Sequence, residues 1–394
     1  MAFVGRPKKI VVLGMMSRWP VAGVAWVTVQ YLEGLRRLGH EVYYVEAHGC
    51  TQTKFMRSPE DDGVSRAADY IASVMRRFDF GRQWAYHDVH MSGGCFGMTR
   101  EQLDELYRSA TMLINLHGAT EPLPEHAATG RLVYLETDPV EVQIALGQGS
   151  STVTKFLDAH CAYFTWGLNY GNPDCRLPAS PRYPFRHSPP VVVADFWQPN
   201  EVGPADTFTT VGNWRQDYKQ VVLDGEVFHW SKHLEFLKFI DLPRRTGQRF
   251  ELALSPASLN AAEADLLATH GWGVRDGLGV SSDLDTYHRY VSGSRGEFTV
   301  AKDQNVRLRS GWFSERSAQY LAAGRPVITQ DTGFGSALPT GQGLFPFRTM
   351  EEILVAMEGV NADYAKHCRA AAALAREHFD ADVVLRRLIK EVGL

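Results

Sequence analysis

The 394-residue chain has few cysteines: Cys50, Cys95, Cys161, Cys175 and Cys368 are scattered and never spaced as a Cys-x-x-Cys pair. An odd, dispersed set argues against a disulfide framework or a zinc knuckle and fits reduced thiols in a cytoplasmic protein. Long apolar runs are absent too, with no stretch approaching the roughly 18 residues of a membrane span. Met1 to Lys9 carries basic residues with no apolar segment behind them, so no secretory signal is expected. Charge of one sign is also lacking: the formal balance is −4, which excludes wholesale binding to nucleic acid but leaves room for a local phosphate pocket.

Several catalytic signatures are missing. The chain has no Gly-x-x-x-x-Gly-Lys-Ser/Thr loop, no Gly-x-Ser-x-Gly elbow and no Gly-x-Gly-x-x-Gly fingerprint. These absences speak against a P-loop kinase, a serine hydrolase and an NAD enzyme. The 14 histidines form no His-Glu-x-x-His pair, and Asp283-Leu284-Asp285 falls at a helix start where capping explains it, so no metal site is expected.

What the chain does have is alternation. Lys9 to Gly14 is a continuous apolar run ending in glycine, Val24 to Leu38 has helical spacing stopped by Gly39, and Glu41 to Glu46 returns to a strand. Strand, helix and strand over about 35 residues form one parallel unit. Strands at Thr111 to Leu116, Arg131 to Leu135 and Ala162 to Thr165 continue the series. Eight prolines from Pro173 to Pro204 then interrupt regular structure, after which a second series begins at Thr207 to Val211. The expected architecture is α/β, with two Rossmann-like lobes whose parallel sheets face a central cleft. The boundary is placed at 195/196: residues 1–195 bind the acceptor, residues 196–394 bind the nucleotide, and the last helix crosses back to the first lobe.

The most specific segment is Ser310 to Thr329, with Ala322-Ala323-Gly324-Arg325-Pro326-Val327-Ile328 at its end and a second glycine loop at Asp331 to Gly335. It resembles the C-terminal donor lobe of glycosyltransferases of the GT-B fold. Ser314 is placed to cap a helix whose first turn holds Arg316 and Ser317, and a helix start of this kind accepts a diphosphate. The resemblance departs at two positions. Many relatives, retaining ones especially, carry acidic residues where this chain has Gly311 and Gln319, and Gln319 could bind a ribose hydroxyl only without charge assistance.

The loop after the first strand of the second lobe adds Gly212, Asn213 and Arg215 as phosphate-side candidates, with Lys219 and Lys232 ranked below them; Gly23 opens the first helix toward the cleft. As general base, His117 comes first because it directly follows a buried strand. Glu136 and Asp138, at the end of the next strand, follow it as base or orienting residue, and His48 is a further option. The resemblance implies an enzyme: a glycosyltransferase of hexosyltransferase type moving a sugar from a nucleoside-diphosphate sugar, as co-substrate rather than cofactor, to a small-molecule acceptor. Metal-independent inversion is the preferred course, and the aromatic and proline content hints at a natural-product acceptor. A sugar-nucleotide epimerase or phosphorylase of the same architecture stays open, as does a non-catalytic two-lobed ligand-binding protein.

Overall fold

The computed structural model describes residues 7–58, 61–90, 93–198 and 206–394. The first lobe is built on eight strands: β1 (Lys9–Leu13), β2 (Glu41–Glu46), β3 (Trp84–His87), β4 (Cys95–Phe96), β5 (Met112–Leu116), β6 (Leu132–Glu136), β7 (Ala162–Thr165) and β8 (Phe185–His187). Their order is β4-β3-β2-β1-β5-β6-β7-β8, parallel throughout except for the antiparallel β3–β4 edge. Strands β5 and β6 are buried at every position, as continuous apolar runs covered on both faces should be.

The second lobe starts with β9 (Thr207–Gly212). A hairpin of β10 (Gln220–Leu223) and β11 (Glu226–His229) follows, and then β12 (Arg249–Leu254), β13 (Gly273–Asp276), β14 (Gly296–Thr299), β15 (Val327–Gln330) and β16 (Leu344–Phe347). Apart from the hairpin these form one parallel sheet in the order β13-β12-β9-β14-β15-β16. Strand order reverses direction between β1 and β5 in the first sheet and between β9 and β14 in the second. The carboxyl edge beside such a reversal is where open α/β sheets bind ligands. Within Gly271 to Asp276, residues Gly273–Asp276 form the edge strand β13. The proline-rich stretch likewise contains β8 and a short helical turn at Ala194–Trp197. Proline confines β8 to the sheet edge without removing it. The boundary placed at 195/196 falls in this stretch, between β8 and β9, and part of it lies outside the described residues.

The lobes share apolar packing. One core cluster runs from Ile10 and Trp26 in the first lobe through Tyr287 and Phe313 in the second to Leu385 in the last helix. That helix, Ala381–Glu391, lies against the helix Ala22–Arg37. A Cβ on Gly34 would come within 2.6 Å of both Ala381 and Leu385, so glycine permits the close crossing. The hairpin extends from the second lobe and buries Val221 and Phe228 among Tyr134, Val140, Ile144 and Phe185 of the first. Lys219 and Glu141, 2.5 Å apart, and Gln148 Nε2 donating to the Val222 carbonyl at 2.7 Å fasten it. No helix among the described residues is long and apolar enough to cross a membrane.

Candidate active site at the lobe junction

The reversal point of the second sheet carries a cluster of buried cations. Arg316, in the first turn of the helix Glu315–Ala322, places Nε 2.5 Å from Glu297 Oε1 on β14. Its Nη1 donates to the Val211 carbonyl at 2.6 Å and its Nη2 to Thr299 Oγ1 at 3.3 Å. Burial opposes the charge, but Glu297 outweighs it and the guanidinium pKa moves up. Each arm of the guanidinium has a partner within the protein. The diphosphate role expected for Arg316 is therefore not set up in this structure, where Arg316 braces β9 against β14.

Lys232 is different. It follows the hairpin, is 8% exposed, and its Nζ has one hydrogen-bond partner, Thr299 Oγ1, at a long 3.4 Å. No carboxylate reaches it within ion-pair distance among the described residues. Burial, with Arg316 and Lys302 as neighbouring charges, pushes its pKa well below the usual lysine value despite Glu297. A buried lysine without a close counter-ion is relieved either by loss of its proton or by an incoming anion.

Lys302, just past β14, completes the group. Its Nζ lies 2.9 Å from Asp138 Oδ2 of the first lobe and 3.7 Å from the Trp230 ring centroid. Trp230 Nε1 donates to the same Asp138 oxygen, while Asp138 Oδ1 is shielded from solvent and has no partner. Trp312 closes the other side: its ring centroid is 5.9 Å from Lys232 Nζ and 5.8 Å from Lys302 Nζ, and its Nε1 donates to the Thr137 carbonyl at 3.1 Å. The Lys–Trp pairs add cation–π attraction where both lysines are largely shielded from solvent.

On the first lobe, His117 has φ +66° and its Nδ1 lies 2.7 Å from Thr137 Oγ1. The residue is half-buried, but its Nε2 is shielded and unpartnered, and burial lowers the imidazole to about 4. Glu136 is sealed beneath this surface, where Thr165 Oγ1 donates to its Oε2 at 2.6 Å and Gln143 Nε2 at 2.7 Å. Burial raises it to about 8, so it stands protonated at neutral pH. His117, Thr137 and Asp138 thus share one rim, with Glu136 below it.

The other expected residues separate. Gly212 lies beside the Arg316 guanidinium and Asn213 is half-buried next to it. Arg215 is exposed and engaged with Glu263 and Asp217, so its ion pairs do not join it to the cluster. Ser314 caps its helix by accepting from the Arg316 amide at 3.2 Å, which leaves that amide less available to a phosphate. Ser317 Oγ and Gln319 Nε2 are buried without partners, and Gln319 Oε1 accepts from Tyr287 at 2.9 Å. Gly23 opens the first helix where Ala22 N donates to the Ser281 carbonyl of the second lobe at 2.9 Å; the helix start meets protein there.

Gly311, standing where relatives carry an acidic residue, and Gly333 of the second glycine loop have φ of +79° and +101° and lie against Asn169 of the first lobe. A Cβ on Gly311 would collide with the Asn169 amide, and one on Gly333 would come within 2.6 Å of its side-chain nitrogen. Backbone bonds run alongside: Leu168 N to the Gly311 carbonyl at 3.2 Å and Arg176 N to the Leu308 carbonyl at 2.9 Å. A side chain at 311 has no space, which accounts physically for the missing acidic residue.

Solved structures match this two-lobed chain over nearly its whole length. An α-glucosyltransferase in complex with UDP aligns with a TM-score of 0.56 and 11% identity, over 98% of this chain and 100% of that one. Anabaena HepE in complex with UDP gives 0.56 and 11%, over 98% and 99%. The fold is that of GT-B glycosyltransferases. AviGT4, a glycosyltransferase involved in avilamycin A biosynthesis, is similar at 0.50 and 12%, over 98% and 97%. No family model and no curated protein sequence matches the chain. Lys232 belongs to the second lobe, and His117, Thr137 and Asp138 to the first. Lys302, Trp230 and Trp312 went unread in the sequence. The Asp224-Gly225 turn between Val221-Val222-Leu223 and Glu226-Val227-Phe228 was the local signal for the hairpin that delivers Trp230 and Lys232.

Proposed function

We propose that the protein transfers a sugar from a nucleoside-diphosphate donor to a hydroxyl of a small-molecule acceptor, with inversion at the anomeric carbon. The observation that carries this reading is Lys232, a buried ammonium with a single weak hydroxyl partner at the reversal point of the second sheet. A diphosphate there would supply the missing anion, and the departing charge would be met by Lys232, Lys302 and backbone amides in a site of low dielectric. Two of the similar structures hold UDP, which makes uridine the first base to try. Gln319 Nε2 and Ser317 Oγ, both unpartnered, serve the nucleotide's hydroxyls in this reading.

Asp138 is proposed as the general base because its free Oδ1 stands beside the cations; His117 is the alternative on the same rim. The five free cysteines accord with a cytoplasmic setting. The test is calorimetry with UDP, GDP, dTDP and NAD on the wild type and on Lys232→Met. Binding of a nucleoside diphosphate that weakens about 100-fold in the variant supports the reading, the scale expected for losing a buried charge-assisted contact. Binding of NAD alone would overturn it.

A further inference from the structure

Asp138 and Lys302 belong to different lobes and meet directly, Nζ to Oδ2 at 2.9 Å, under the Trp230 ring. Asp138 is the one carboxylate within ion-pair distance of Lys302 among the described residues. The Trp230 N–H holds the same oxygen, so Oδ2 is occupied twice and Oδ1 not at all. Lys302 also lies near Trp312, at nearly the same distance as Lys232 does, and its charge acts on Lys232, so the two lysines are neighbours at the lobe junction. Whatever anion satisfies Lys232 therefore comes close to Lys302 and competes with Asp138 for it.

Resting on the glycosyl-transfer reading, we propose that Lys302 is shared between Asp138 and the departing diphosphate, coupling the proton transfer to the charge transfer. The acceptor's O–H proton passes to Asp138 Oδ1 as the acceptor oxygen bonds to the anomeric carbon. The anomeric carbon–phosphate oxygen bond breaks, and its electron pair leaves on the diphosphate as one more negative charge. Asp138 becomes neutral in the same step and loosens its hold on Lys302, which turns to the diphosphate as that group gains charge. One ammonium follows the negative charge from base to leaving group without ever being left unpaired in a dry site, where an unpaired charge costs most.

Other charged and titratable groups surround the pair. Lys219 and Glu315 act on Lys302 at longer range, Glu136 lies near Asp138, and Tyr134 feels Asp138, Glu136 and Glu141 together. None of them touches both Asp138 and Lys302.

The coupling is tested by UDP binding alone, with no acceptor, in four proteins: wild type, Asp138→Asn, Lys302→Met and the double variant, each checked for folding by circular dichroism. Asp138→Asn frees Lys302 and is expected to tighten UDP about tenfold, the value of one close charged contact. With Lys302→Met in place, the same change should alter UDP affinity by less than about twofold, because the shared cation is gone. Lys302→Arg keeps the charge and should retain most of the Asp138→Asn effect. Equal tightening with and without Lys302 would mean simple repulsion of UDP by Asp138, and no tightening at all would mean no competition; either result overturns the proposal. Failure of the wild type to bind any nucleoside diphosphate would instead defeat the glycosyl-transfer reading beneath it.

Discussion

Arg316 and Glu297 form a buried pair in which Nε and Oε1 are 2.5 Å apart, one on a helix of the second lobe and the other on the strand beside it. Breaking such a pair leaves an uncompensated charge in the interior. Arg316→Met and Glu297→Leu should each cost about 3 to 5 kcal/mol in denaturant unfolding, and the double replacement much less than the sum. If Arg316 instead served mainly as a phosphate ligand, Arg316→Met would weaken UDP binding at little cost in stability.

Lys232 should show the opposite pattern. Replacing a buried ammonium that has no carboxylate partner removes a desolvation penalty, so Lys232→Met is expected to unfold at higher denaturant concentration while losing UDP affinity. The pH dependence has a definite sign. The lysine pKa is depressed in the folded protein, so the unfolded chain holds more protons above that value and stability rises with pH through it. A bound diphosphate favours the charged lysine and raises its pKa again, so proton uptake on UDP binding, and weaker binding as pH increases, are expected wherever the free lysine has lost its proton. Calorimetry in buffers of differing ionisation enthalpy measures this uptake, and Lys232→Met should abolish it.

Two first-lobe residues have opposing pH dependence. Glu136 is raised from 4.5 to about 8, so the folded state keeps a proton that the unfolded chain has lost, and stability falls as pH rises from 4.5 to 8. That span corresponds to on the order of 5 kcal/mol, and Glu136→Gln should flatten it while preserving the hydrogen bond from Thr165. His117 is lowered from 6.5 to about 4, so its contribution is present above pH 6.5 and lost as pH falls toward 4. Thermal unfolding of Glu136→Gln and His117→Asn between pH 4 and 9 separates the two slopes.

The hairpin offers a mechanical test. Phe228 is fully buried in a cluster made mostly of first-lobe side chains. Phe228→Ala should cost about 3 to 5 kcal/mol if the site cannot collapse. Hydrogen exchange should quicken across residues 220–230 and, with Trp230 loosened from Asp138, in the loop after β6. Faster exchange confined to the hairpin would show that its docking does not set the cleft.

Much of the fold was legible because buried parallel strands appear as continuous apolar runs: β1, β5 and β6 lie within a residue of where their patterns place them. Trp84–His87 and Gln220–Leu223 went unread: each is four residues long, and β10 is buried on one face only. The rim residues His117 and Asp138, and Glu136 beneath them, could be found by their positions at or just past the ends of buried strands. Lys302 shares that position but was hidden by its ordinariness as a lone lysine. Its importance comes from Asp138, 164 positions earlier, which pattern reading along one lobe does not connect to it. Arg316 was the inverse case: the residue type suited an anion, but Glu297 on the neighbouring strand already supplied one.

Asn169, seated against Gly311 and Gly333 beside the backbone bonds at Leu168 and Arg176, marks one margin where the lobes are stitched peptide to peptide. Any opening of the cleft that keeps those bonds must pivot about that margin and be widest opposite it. The route for a donor entering and a diphosphate leaving would then lie away from the stitched side. An acidic side chain placed at position 311 would have to displace Asn169, and with it the axle on which the lobes turn.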